Sequence, residues 1–287
     1  MPSTLAYTQK ENGMNKLIVI FKQYKYQLIW IYVFMLLSEL SILSTPFILG
    51  KSIDGLLVGN WYWMVLLGLS YFVSNFFNYK RMVYDTKVYT TIYNNIALKF
   101  LKKDDVDVST KIARTDMAYE IVHVLEGYVH YYIATIVTII GSLIFIFSEN
   151  WKVGILVSTS IIFIVSSVFI LYKKIKQGIK ISNNHYEKKA KSIEGGYVIS
   201  ESFFNRRRKI EICQSTIQGK NWFLGNSIKY VFLLLSIILL ITTTKHITIG
   251  SVVTVYSYVN NFLMALMSAP VAIEMVLRIS DVLKRLN

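Results

Sequence analysis

Apolar residues are concentrated in six long stretches of the chain, which charged segments separate. The stretches lie at about 28–49, 61–79, 128–148, 153–172, 227–244 and 250–270. Each is close to the roughly 20 residues that an α-helix needs to cross the hydrocarbon core of a bilayer. Because lipid offers no partner for free backbone N–H and C=O groups, even the β-branched stretches are predicted to be helical. The pattern predicts an all-α, polytopic membrane protein with six transmembrane helices.

Basic residues are distributed unevenly between the segments that flank these stretches. Of the 31 lysine and arginine residues, 28 lie in the N-terminal arm, the two long polar segments, the C-terminal tail and at Lys229. The three short remaining loops contain only Lys51, Lys152 and Lys245. Since loops rich in lysine and arginine stay on the cytoplasmic side, both termini and both long segments are predicted to be cytoplasmic, at the plasma (inner) membrane.

The two long polar segments, 80–127 and 173–226, also have apolar residues at helical spacing. In the first segment these residues are Val83, Val88, Ile92, Ile96 and Phe100. Unstructured loops of about 50 residues are uncommon, and this spacing is typical of amphipathic helices. Spans two to five are therefore predicted to continue as long cytoplasmic helical extensions, joined by turns at 102–110 and 203–212.

Residues 1–27 are predicted to form an amphipathic entry segment that precedes the transmembrane domain, 28–287. One face of this segment is apolar, and lysines flank it: Met14, Leu17, Ile18 and Phe21, with Lys16, Lys22 and Lys25. Such a helix can lie in the plane of the membrane interface. An irregular beginning to the first span is the alternative.

Composition narrows the classes of function. The net charge is +14, the sequence is 54% hydrophobic, and its mean hydropathy is +0.44. Because basic loops and anionic lipid headgroups account for the charge, lipids are expected as partners and nucleic acid is not. A single cysteine, Cys213, excludes an intrachain disulfide, and the four histidines have no metal-ligand spacing. Hydrolase motifs are absent, so we expect neither a catalytic residue nor a metal site.

Short motifs accompany the first and last stretches. Residues 46–55 read Pro-Phe-Ile-Leu-Gly-Lys-Ser-Ile-Asp-Gly, and Thr-Ile-Gly at 248–250 precedes Tyr258. A basic tail, 278–286, follows the sixth stretch. With the six spans, the entry segment, the short outer loops and the two long helical excursions, these motifs resemble the membrane domain of exporter-type ABC transporters.

The sequence departs from the pattern of that family in several places. Pro270 lies late in the sixth stretch, and the spacing from Arg114 to Asp116 is compressed. No phosphate loop G-x-x-x-x-G-K-[S/T] is present, because Thr45 occupies the position of the first glycine before 50–52. We therefore expect no ATP-binding domain, no cofactor and no enzymatic activity on this chain, with ATP on a partner subunit.

The resemblance implies a six-span half-transporter that acts as a homodimer or a heterodimer and pairs with a separate ATP-binding subunit. Two alternatives remain open at this point. One is a transporter that needs no nucleotide and couples substrate movement to protons. The other is a membrane scaffold that uses the same fold without transporting anything.

Three polar residues within the predicted spans are candidates for lining a cavity. Glu39 lies near the middle of the first span, where an ionised carboxylate is costly and a functional role is the default hypothesis. It would face a central cavity and couple transport, or it would be a protonated residue that packs helices. Asn260 and Asn261 in the sixth span would line a polar cavity or hydrogen-bond to a neighbouring helix.

Two dense groups of charge mark the predicted cytoplasmic turns. They consist of Asp104, Asp105 and Asp107 in the first turn and Arg206, Arg207 and Arg208 in the second. In the family that the chain resembles, such tips dock onto ATP-binding subunits. The alternative is that these are solvated turn residues that help to set the membrane topology.

Overall fold

The computed structural model describes residues 22–101, 126–127, 130–167 and 201–268, together with isolated positions at 115, 119, 122, 169, 177 and 181. Six helices lie within these ranges, and no strand occurs among the described residues. The helices are α1 (Lys25–Leu57), α2 (Tyr62–Leu101), α3 (His130–Glu149), α4 (Trp151–Ser167), α5 (Glu201–Thr243) and α6 (Ile249–Met267). The prediction of an all-α protein is confirmed.

Four of these helices, α1, α3, α5 and α6, are long and apolar enough to cross a membrane. They coincide with the predicted first, third, fifth and sixth spans. Helix α4 is apolar but has fewer residues than a span within the described part of the chain. In α2, serine, asparagine and tyrosine residues interrupt the apolar stretch and lower its mean hydropathy. The second and fourth spans therefore stay predictions, and so does the count of six.

Helices α2 and α5 are much longer than a membrane crossing requires. They contain 40 and 43 residues, which at about 1.5 Å per residue corresponds to roughly 60 Å. The hydrocarbon core is only about 30 Å thick. Helix α2 continues without a break beyond the predicted span into 80–101, as expected for a helical extension.

One predicted turn is wrong. Residues 203–212 lie inside α5, which is helical from Glu201 onwards. This segment contains neither glycine nor proline, and Arg207 Nε donates a hydrogen bond to Glu211 Oε1 at 2.8 Å, one helical turn away. The run of arginines therefore favours helix rather than turn. The other predicted turn, 102–110, and residues 1–21 of the entry segment lie outside the described residues, and Lys25 already belongs to α1.

The described residues fall into two compact units. The first contains α1, α2, the beginning of α3 up to Gly141, and residues 248–254. The second contains the described residues from Ser142 to Ile247 and from Val255 onwards. Each unit has its own packing.

In the first unit, α1 and α2 form an antiparallel hairpin. Gly59 makes the turn with a φ of +77°, a left-handed conformation that glycine adopts without steric cost. Asn60 Oδ1 then accepts the Tyr62 backbone N–H at 3.0 Å and caps the beginning of α2. Small residues allow the helices to approach closely, as where Ser38 Oγ donates to the Ser74 carbonyl at 3.2 Å.

Further from this turn, an apolar core forms between the first half of α1 and the second half of α2. Its buried members are Leu28, Ile31, Val88, Tyr89, Ile92 and Val122. Val88 and Ile92 belong to the apolar pattern that the sequence shows in 80–101, whereas Tyr89 does not. Tyrosines pack around them, and Asn95 Nδ2 donates to the Tyr24 hydroxyl across the hairpin.

The second unit is held by aromatic packing and by one polar corner. Phe145 stacks on Tyr258 with ring centroids 4.6 Å apart. At the corner, Asn150 Oδ1 accepts the backbone N–H groups of Lys152 and Val153 and caps α4. Asn150 Nδ2 donates to Thr243 Oγ1 at 2.9 Å. One side chain thus starts α4 and contacts the end of α5.

Candidate functional site

A carboxylate near the end of α1 contacts the beginning of α6. Asp54 Oδ1 accepts the Gly250 backbone N–H at 2.8 Å, and Oδ2 accepts the Thr248 hydroxyl at 2.7 Å. The first N–H groups of a helix have no partner within the helix, and they carry its positive dipole. Asp54 therefore supplies a hydrogen-bond acceptor and a negative charge where α6 needs both.

The beginning of α6 is also capped from within. Thr248 Oγ1 accepts the Ser251 backbone N–H at 3.1 Å, and Ser251 Oγ accepts the Thr248 backbone N–H at 3.2 Å. This reciprocal arrangement is a capping box with serine in the place of the usual glutamate. The Thr248 hydroxyl thus serves the cap and Asp54 together, which fixes where α6 begins relative to α1.

Close contact of two backbones accompanies this carboxylate. A Cβ atom on Gly50 would lie 2.5 Å from the Gly250 carbonyl oxygen, and one on Gly250 would overlap the Gly50 carbonyl oxygen. Thr254, which is buried, donates to the Gly250 carbonyl at 2.9 Å. Glycine is needed at both positions because any side chain would separate the helices.

Two motifs that lie far apart in the sequence are therefore neighbours in the structure. Asp54 and Gly250 are separated by 196 positions. The sequence identified both motifs, at 46–55 and 248–250, but it contained no signal that they touch each other.

The in-span candidates belong to different units. Glu39 is half-buried in α1, in the first unit, and Arg81 of α2 attracts it electrostatically. Asn260 and Asn261 are half-buried in α6, in the second unit, next to the buried residues Val259 and Phe262. A cavity-lining role for any of these three residues stays a prediction.

The candidates for docking are only partly described. Asp104, Asp105 and Asp107 lie outside the described residues. On α5, Arg206 and Arg208 are exposed, whereas Arg207 is half-buried and pairs with Glu211. Docking at these arginines stays a prediction, and their setting is the surface of a helix rather than a turn.

A polar cluster on α2 was missed by the sequence analysis. Arg81 Nη1 donates to Asp85 Oδ2 at 2.9 Å, and Arg81 Nε and Nη2 donate to Asn78 Oδ1 at 3.3 and 3.1 Å. The side chains of Arg81 and Asp85 are 11% and 5% exposed. The spacing of these residues along one helix face, with Tyr89 one turn further, is a signal that the sequence does contain.

Nearby, a second carboxylate joins this cluster. Glu126 Oε1 accepts the Thr86 hydroxyl at 3.1 Å. Burial raises the pKa of Asp85 to about 6, the attraction of Arg81 opposes the rise, and repulsion by Glu126 adds to it. Asp85 lies beyond the predicted second span. The cluster therefore contains titratable side chains that follow this predicted span.

One short run in α1 matches the last three residues of a phosphate loop. Gly50, Lys51 and Ser52, the only glycine-lysine-serine run in the chain, lie inside α1. A phosphate loop instead presents free backbone N–H groups between a strand and a helix. Because they lie inside a helix, these three residues do not fit a bound nucleotide phosphate.

Replacing Gly50 tests the close approach of α1 and α6. We expect Gly50→Ala to lower the free energy of unfolding by about 1–3 kcal/mol, because its Cβ would overlap the buried Thr254 hydroxyl and would also meet the Gly250 carbonyl, which is backbone. Gly68→Ala is the matched control, since nothing lies within 4 Å of a Cβ there. The control should gain up to about 1 kcal/mol from helix propensity. Equal thermal shifts for the two variants in detergent would contradict the tight crossing.

Replacing Asp54 tests the carboxylate. Asp54→Ala should lower the free energy of unfolding by about 1–3 kcal/mol, because the Gly250 N–H and the Thr248 hydroxyl lose a charged acceptor. Asp54→Asn keeps one acceptor oxygen and should recover part of the loss, the remainder being about 0.3–1 kcal/mol of charge–dipole attraction. Glu149→Ala, which removes an exposed carboxylate at the end of α3, serves as the control and should not destabilise. Chemical or thermal unfolding measures the stability of all three variants. Equal free energies of unfolding for Asp54→Ala and Asp54→Asn would contradict a stabilising role of the hydrogen bonds.

Comparison with known proteins agrees with this architecture. No curated protein matches the sequence. The family described as the ABC transporter transmembrane region matches residues 17–250, a range that includes α1 to α5 and reaches the glycine that Asp54 binds. With its apolar helices, this match makes the chain a multi-pass membrane protein. The chain belongs to the ABC transporter transmembrane region family.

Proposed function

We propose that the chain is the membrane-spanning subunit of an ABC-type exporter, that it acts as a dimer, and that a separate subunit binds ATP. The family match over residues 17–250 carries the proposal. ATP bound by the partner supplies the free energy, and this chain supplies the path through the membrane.

The length of the helices supports an exporter-type arrangement. Helices α2 and α5 extend well beyond the thickness of a bilayer. The basic residues concentrate in the segments that contain these extensions. We therefore propose that the extensions and both termini lie in the cytoplasm, at the plasma membrane, where a soluble ATP-binding subunit can reach them.

Within the membrane, the proposal assigns different roles to different polar residues. Glu39, in the first unit, is assigned to coupling, and Asn260 and Asn261, in the second unit, are assigned to the lining of a polar cavity. Asp54 instead keeps the end of α1 and the beginning of α6 together as one body when the helices move. Alternating access by the rocking of rigid helical bodies needs such fixed contacts between helices.

Purification of the tagged protein from native membranes in a mild detergent tests the proposal directly. We expect a stoichiometric partner that hydrolyses ATP, and transport in proteoliposomes that stops when ATP is withheld. A tagged membrane protein of another family, prepared in the same way, controls for contamination by abundant ATPases. Transport that needs no ATP and collapses with a protonophore would contradict the proposal, and so would a purified protein without an ATPase.

Charge reversal on α5 tests the docking surface. Arg206→Glu with Arg208→Glu changes two exposed arginines and spares Arg207, whose bond to Glu211 supports the helix. We expect the amount of co-purified ATPase to fall at least about tenfold, which corresponds to about 1.4 kcal/mol. Lys220→Glu, at an exposed position of the same helix, is the control and should retain the partner. Equal retention by both variants would exclude this surface.

A further inference from the structure

The polar cluster on α2 contains more negative than positive charge. Arg81 is the guanidinium that contacts it, while Asp85 and Glu126 both contribute carboxyl groups. Arg81 donates its described hydrogen bonds to Asp85 Oδ2 and Asn78 Oδ1. Among the described residues, Arg81 therefore pairs with one carboxylate, Asp85, and no second cation is bonded to Glu126.

One carboxylate oxygen is buried without a partner. Asp85 Oδ1 has no hydrogen-bond partner among the described residues, although Asp85 is only 3% exposed. A buried acceptor with a full negative charge is costly when no donor reaches it. Adding a proton to the carboxyl removes the charge, and with it most of this cost.

The surroundings of Asp85 offer no other charge compensation within the described residues. Tyr89, on the same helix, and Tyr32, on α1, bond to each other and both lie in the electrostatic field of Asp85. Burial raises the pKa of Tyr89, which keeps this hydroxyl neutral. Val88 and Ile92, on the same helix, belong to the apolar core that also contains Tyr89. The positive charge of Arg81 also interacts electrostatically with Glu39 of α1 and with His130 of α3.

We propose that Asp85 and Glu126 form a proton-binding site, in which one proton completes the charge balance that Arg81 leaves unfinished. The site lies beside the apolar core between α1 and α2, and Glu126 joins it from the segment that precedes α3. When the proton leaves, two carboxylates face a single guanidinium. Their repulsion weakens the packing of that segment against α2. The proposal is independent of what drives transport.

The direction of the pH dependence follows from the pKa of Asp85. This pKa rises from the ordinary value of 3.8 to about 6, mainly through burial. The folded protein therefore binds the proton about a hundredfold more tightly than the unfolded chain. The stability that this adds is complete below about pH 4, is lost as the pH rises through about 6, and does not change above that.

Thermal unfolding of the purified full-length chain between pH 4.5 and 8, followed by tryptophan fluorescence, tests the site. Asp85→Asn imitates the protonated carboxyl, so the difference in melting temperature between this variant and the natural chain should grow as the pH rises to about 6 and then level off. Glu126→Gln removes the repulsion and should move the midpoint of that transition to lower pH. A site that was merely structural would change the stability but not the midpoint.

Glu211→Gln is the matched control, because Arg207 and Glu211 form the same type of pair, one helical turn apart, on an exposed surface. Its curve should run parallel to that of the natural chain. Infrared difference spectra provide a second measurement, in which a carboxylic acid band should disappear as the pH rises through about 6 and should be absent from Asp85→Asn. A midpoint that Glu126→Gln leaves in place would overturn the proposal, and so would an acid band that persists in Asp85→Asn.

Discussion

The structure depends on the way in which helices are held together when lipid surrounds them. Apolar side chains gain little by leaving hydrocarbon for a neighbouring helix, so association relies on close backbone approach and on polar contacts. Gly50 and Gly250 allow the close backbone approach, and Asp54 makes the polar contact. The carboxylate is effective because it meets the end of a helix, where free N–H groups and the helix dipole both favour a negative charge.

The same physical chemistry has a different result at the other end of the α1–α2 hairpin. There Arg81 pairs with the buried Asp85, next to a core of tyrosines and aliphatic residues, and Glu126 accepts a hydrogen bond from the adjacent Thr86. Both carboxylate oxygens of Asp54 accept hydrogen bonds. Among the described residues, only Oδ2 of Asp85 accepts one, and Oδ1 has no donor. A carboxylate with enough donors acts as a fixed contact, and one with too few acts as a group that changes its charge.

Much of the architecture could be predicted from the sequence, because the signals are local. Apolar length predicted the four helices that can cross a membrane, and helical spacing predicted that α2 continues beyond its apolar part. The predicted turn at 203–212 is wrong because the run of charged residues was interpreted as a loop. The segment contains no glycine or proline and has an Arg–Glu pair one helical turn apart, and both features favour a helix. The motifs at 46–55 and 248–250 identified the family, and the family match agrees.

By itself, the sequence determined that this is an all-helical membrane protein of the ABC transporter type, because hydrophobic length and short motifs are properties of consecutive residues. Only the tertiary structure decided which distant residues meet. The contact of Asp54 with Gly250 and the hydrogen bond between Thr86 and Glu126 join residues that no local pattern connects. Burial, and with it the proton affinity of a carboxyl group, exists only after the helices have packed.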